Sequence, residues 1–122
     1  MANEYLRVLD ASRIVGDEIN SWLDTSISAV PEADQIRRAT ESVAANIMEG
    51  YGRDRGPDRS RFLRYARGSA EEANERVRSA YASGRLPERD YWRFHHRLVT
   101  VVKMLNALLD SIAGRPRDRT RL

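Results

Sequence analysis

The chain of 122 residues has no cysteine. That removes disulfides, thiolate chemistry and cysteine-based zinc or iron–sulfur sites. Lysine is nearly absent too: twenty of the 21 basic residues are arginine, and Lys103 is the exception. A general replacement of this kind reads as codon bias more readily than as a phosphate-recognition patch. Long apolar runs are also missing. The best one, Leu98 to Leu109, is broken by Thr100, Lys103 and Asn106 and falls short of the roughly 20 residues that span a bilayer. No basic stretch followed by an apolar one opens the chain, so no signal peptide is read. The expectation is a cytoplasmic protein without membrane contact. Proline occurs four times and glycine seven, and most of them act as punctuation between helical segments.

The hydrophobic fraction is 41% and the charged fraction 32%, which suits one folded domain and not a disordered chain. Four segments carry helical periodicity and no sustained alternation suggests a strand. They run from about Glu4 to Ile27, Pro31 to Gly50, Pro57 to Ser83 and Pro87 to Ala113. The predicted fold is all-α: an antiparallel up-down-up-down four-helix bundle over residues 1–114, followed by a short basic tail, 115–122, frayed from the bundle. Pro31 and Pro87 are placed in first turns, and Gly84 and Gly114 at helix ends. The third helix has a face of small residues, Phe62, Ala66, Ser69, Ala73, Val77 and Ala80, which predicts close helix packing. Gly68, costing roughly 1 kcal/mol in mid-helix, is assigned to the same tight contact.

The first helix carries Val8, Val15 and Trp22 beside its main seam, and the last carries Phe94, Val101 and Leu108. These stripes are wider than the seam of one bundle core requires. Left uncovered in a monomer they would form a large apolar surface, so they are assigned to contacts between copies in a cyclic homo-oligomer. Asn46 falls on the apolar seam of the second helix. An amide there is costly unless paired, and Ser69 or backbone near Gly50 are its expected partners.

No motif for catalysis emerges. Trp92 and Arg93 stand three residues before His95 and His96, so no Glu-x-x-His pair is present. His95 reads as a hydrogen-bonded core histidine, and Glu71, Glu72 and Glu75 as a solvated charged face. The segment Gly50 to Gly56 misses phosphate-loop spacing and follows a helix. Neither a metal nor a cofactor is expected, and the protein is read as a non-enzyme. Charge is uneven: residues 1–34 carry a net −5, residues 35–70 +4, residues 71–113 +1 and the tail +3. Arg53, Arg55, Arg59, Arg61, Arg64 and Arg67 lie beside Tyr51, Phe62 and Tyr65. With Arg115 and Arg117 of the tail they are the candidate nucleic-acid contacts, RNA or DNA, since guanidinium groups beside aromatics bind phosphates and stack bases.

Two stretches then place the chain in a family. Gln35-Ile36-Arg37-Arg38-Ala39, continued by Ser42-Val43-Ala44-Ala45-Asn46-Ile47-Met48-Glu49-Gly50-Tyr51-Gly52-Arg53, resembles the signature of the four-helix bundle proteins named for an open reading frame in bacterial 23S rRNA intervening sequences. Arg61-Phe62-Leu63-Arg64-Tyr65-Ala66-Arg67-Gly68-Ser69-Ala70-Glu71-Glu72 resembles its second signature, and Gly84-Arg85-Leu86 agrees before the last helix. Met48 stands where the family usually has alanine. The resemblance implies a left-handed up-down bundle, ring-shaped homopentamers and no catalytic residue. Asn46, Glu49, Gly50, Tyr51, Gly52 and Arg53 would order the junction before the third helix. A distant resemblance to the accessory protein of diversity-generating retroelements, a basic pentamer, implies nucleic-acid binding. The function expected is an oligomeric scaffold or adaptor. The alternatives are a protein-binding ring without nucleic acid, its partner unknown, and an enzyme with a site composed between subunits.

Overall fold

The computed structural model describes residues 2–26, 29–53 and 56–114. Arg55, Arg115, Arg117 and the rest of the proposed tail lie outside them. Four helices follow one another: α1 (Ala2–Thr25), α2 (Ala33–Gly52), α3 (Gly56–Ala82) and α4 (Glu88–Ile112). Cross-helix partners fix an antiparallel order. Tyr5 meets Tyr51 while Arg37 reaches Asp24. Ser69 bonds Ser42 while Arg76 reaches Glu32. Arg67 bonds Asn106 while Tyr81 stacks on Tyr91, and Trp22 lies against Phe94. The α2–α3 junction, the start of α1 and the end of α4 therefore share one end of the bundle. None of the helices among the described residues is long and apolar enough to cross a membrane.

Helix boundaries follow local chemistry. Gly84 and Gly114 adopt φ of +82° and +72°, the left-handed conformation that glycine tolerates at a helix end. Pro31 does not open α2. Glu32 takes φ +65° as the preceding residue, and the helix begins at Ala33. The Ala33 amide instead bonds the Val30 carbonyl at 3.1 Å, a turn in which proline needs no N–H. Pro87 likewise sits just outside α4, with its carbonyl accepting from the Tyr91 amide at 2.9 Å.

The core closes inside a single chain, which corrects the interface assignment. Val8, Phe94 and Val101 are wholly buried, Val15 and Leu108 nearly so. Trp22 is half-buried and packs on the core with its ring centroid 6.0 Å from that of Phe94. The sequence argument treated each broad stripe as a seam plus a surplus. A helix touching two neighbours needs an apolar arc more than 100° wide, and both stripes fit within it. On α3, Leu63, Ala66, Ala70, Ala73, Val77 and Ala80 line the core, while Phe62 and Ser69 stand at its edge. Gly68 is exposed with open space around its missing side chain, so close packing does not explain it. The tight glycine is Gly50, where a Cβ would lie 3.3 Å from the Arg59 carbonyl oxygen and 3.4 Å from Phe62 Cβ.

If Phe94 belongs to the protomer core, Phe94→Ala costs about 3–5 kcal/mol of folding stability. Chemical denaturation measures it. A variant of wild-type stability that only loses oligomeric mass would return Phe94 to an interface.

Candidate functional site

The arginine-rich stretch folds into the α2–α3 junction, and most of its charge is already committed there. Arg59 has the central role. Its Nε donates to the Gly50 carbonyl at 3.2 Å, and its Nη2 donates to the carbonyls of Tyr51 at 3.2 Å and Arg53 at 2.6 Å. The last carbonyls of a helix have no partner within it, and a guanidinium satisfies them while opposing the negative end of the helix dipole. The same guanidinium lies 5.4 Å from the centre of the Tyr5 ring, tying α1 to the junction. Burial pushes the Tyr5 phenol above its ordinary range, and the Arg59 charge pulls it partly back.

Around this cap runs a surface network. Arg53 pairs with Glu49 at 2.7 Å and with Asp58 at 3.9 Å, and Arg61 pairs with Asp58 at 3.3 Å. Both guanidinium carbons lie over the Phe62 ring, at 4.8 and 5.1 Å from its centroid. Tyr65, about half exposed, meets Phe62 edge-on at 5.7 Å. Arg67 donates to Asn106 Oδ1 at 2.8 Å across to α4. Of the proposed contacts among the described residues, Arg64 alone is exposed without a hydrogen bond or ion pair. It borders a polar cavity of about 380 Å³ with Ser60, Arg67, Asn106 and the buried Asp110. The sequence showed five of these arginines as one basic patch, whereas the fold spends Arg53, Arg59, Arg61 and Arg67 on internal bonds.

The junction residues named by resemblance divide in the same way. Asn46 is half-buried, and its Nδ2 donates to the Ser42 carbonyl at 2.8 Å and to Ser42 Oγ at 2.9 Å. Ser42 Oγ also accepts from Ser69 Oγ at 2.8 Å. Asn46 thus reaches Ser69 through Ser42, a residue the sequence argument did not select. Glu49 serves Arg53, Gly50 admits α3, and Tyr51 packs edge-on against Tyr5 at 5.1 Å. Gly52 lies in open space.

At the opposite end, α3 and α4 assemble an aromatic cluster that sequence reasoning missed. Tyr81 and Tyr91 stack at 4.7 Å and 7°, and Trp92 meets Tyr91 edge-on at 5.0 Å. His95 is paired as expected, its Nδ1 lying 3.1 Å from Asn74 Oδ1, but it stands at the edge of the core and not inside it. The acidic cluster is a charged face: Glu72 and Glu75 bind Arg76 and Arg78. Among the described residues, no three His, Asp or Glu side chains gather as a metal set.

If Arg59 is a helix cap, Arg59→Ala costs about 1.5–3 kcal/mol, the range for hydrogen bonds made by a charged group. Arg61→Ala, which removes an exposed pair, costs under about 1 kcal/mol. Thermal unfolding of the two variants side by side checks the contrast, and equal losses would contradict it.

No curated protein matches the chain. It is similar in structure to a crystal structure of a protein of unknown function from the S23 ribosomal protein family of Bacteroides thetaiotaomicron. The TM-score is 0.81 at 20% identity, over 88% of this chain and 98% of that one. At that identity the likeness shows the bundle fold. The family model for the 23S rRNA-intervening sequence protein matches residues 28–107, from within the α1–α2 connection into α4. With the junction, the small-residue face of α3 and two thirds of its length matched, the chain belongs to the 23S rRNA-intervening sequence protein family.

Proposed function

We propose that the protein is a non-enzymatic scaffold whose copies associate through apolar side chains standing on α1 and α2. The observation that carries this is the exposure of Leu6 at 53%, Ile14 at 50%, Met48 at 52% and Tyr51 at 50%, around a core that is complete without them. They form two patches. Leu6, Met48 and Tyr51 lie on the α1–α2 flank, where Tyr5 meets Tyr51 and Arg13 Nη2 reaches Met48 Sδ at 3.3 Å. Ile14 lies on the α1–α4 flank, beside a mostly apolar dimple of about 230 Å³ formed with Ala11, His96, Arg97 and Thr100.

Two different patches on neighbouring flanks suit a head-to-tail contact that turns by about 70–90° per copy and closes at about four or five. Patches on opposite faces would instead build an open filament. The family resemblance supports five. Contact with RNA or DNA is the second reading. The observation favouring it is the exposed pair Arg64 and Tyr65, which a ring would repeat once per copy, so that avidity could offset weak single contacts.

Light scattering at micromolar concentration tests the assembly. The expected mass is five times the 14.0 kDa protomer, and Leu6→Asp with Met48→Asp is expected to give the protomer mass with unchanged helix content. A wild-type monomer would overturn the proposal.

A further inference from the structure

The polar cavity on the α3–α4 flank has walls of opposite charge. Ser60, Arg64 and Arg67 line it from α3, spaced so that one helix face carries all three. Asn106, Asp110 and Ala113 line it from α4. On the α3 wall neither guanidinium is ion-paired among the described residues, and Arg67 spends one N–H on Asn106 Oδ1 at 2.8 Å. The α4 wall is negative for two reasons. Asp110 places a buried carboxylate there. The wall is also the last turn of α4, whose carbonyls form the negative end of the helix dipole, and no basic residue of that turn offsets them. Asp110 has a partner of its own. A carboxylate offers about four acceptor positions, so it can take a further donor.

We infer that this cavity binds an acidic α-amino acid, with its two carboxylates against Arg64 and Arg67 and its ammonium against Asp110 and the end of α4. The charges match in number and in place: two guanidinium groups on one wall, one carboxylate on the other. Guanidinium holds a carboxylate through paired N–H donors. Asn106 adds a donor, because its Oδ1 is occupied by Arg67 and its Nδ2 is left to face a carboxylate. The volume of about 380 Å³ falls at the small end of ligand sites, about 300–1,000 Å³, which suits a molecule of this size. An inorganic oxyanion answers the α3 wall alone and brings negative charge up to Asp110. A phosphate backbone likewise has no ammonium to offer the α4 wall. The site lies within one chain, on a flank that neither apolar patch of the proposed assembly occupies.

Isothermal titration calorimetry of the full-length protein with L-glutamate tests the site, and saturable binding is expected. Glutarate keeps both carboxylates and lacks the ammonium, whereas L-glutamine keeps the ammonium and lacks the second carboxylate. Each is expected to bind at least about tenfold more weakly, the equivalent of one charge-assisted hydrogen bond. Arg64→Gln changes an exposed side chain without an ion pair. It is expected to weaken glutamate binding about 10- to 150-fold, with circular dichroism and Tm unchanged. Asp110→Asn is expected to weaken glutamate and not glutarate, a selectivity that general damage to the fold does not produce. Absence of binding at millimolar L-glutamate, equal affinity for glutarate or L-glutamine, or indifference to Arg64→Gln would overturn the assignment.

Discussion

The contact on which the rest of this bundle depends is that of α2 and α3 at Gly50. The Arg59 carbonyl and the Phe62 Cβ occupy the space that any side chain at position 50 would need. At the end of α2 the Gly50 carbonyl accepts from the Arg53 amide at 3.2 Å, and the carbonyls of Tyr51 and Arg53 still need a donor from close by. Arg59 provides it from the first turn of α3. The alanines at 66, 70, 73 and 80 continue the contact down the helix, and the Ser42–Ser69 bond with Asn46 behind it holds the register midway. The part of the sequence richest in arginine is thus the junction of α2 and α3, and Arg59 is spent there on main-chain carbonyls.

Much of the fold was legible because it follows from periodicity. Ile36, Ala39, Val43 and Ile47 of α2, and Tyr91, Leu98, Leu105 and Leu109 of α4, are inside as their spacing requires. The turns at Gly84 and Gly114 follow from the conformational freedom of glycine. Other features depended on distances that no local pattern contains. Val8 beside Tyr5, or Val101 beside Leu98, looks surplus when one seam is drawn per helix, and becomes core once each helix has two neighbours. Glu32 in the left-handed region could not be read from Pro31-Glu32.

The candidate site was less legible than the fold, for a related reason. A run such as Arg59, Arg61 and Arg64 has one composition and three different environments: carbonyls six to nine residues back, a carboxylate one turn back, and open solvent. Counting charge cannot separate them. The aromatic cluster was missed because Tyr81 and Tyr91–Trp92 belong to different helices, and only the antiparallel α3–α4 pairing brings them together. It lies at the far end of the bundle from the junction, about 30 Å along α4. The two ends are therefore built differently: one knits the chain together around Arg59, and the other presents an aromatic surface.

That division rests on the state of one guanidinium. Hydrogen exchange of the arginine Nε–H groups, resolved by NMR, examines it directly. A cap bonded to three carbonyls predicts an Arg59 Nε–H that exchanges at least about tenfold more slowly than that of Arg64, since opening requires a local unfolding of the junction. Equal, solvent-like exchange at both positions would show Arg59 free to bind phosphate and would contradict the account.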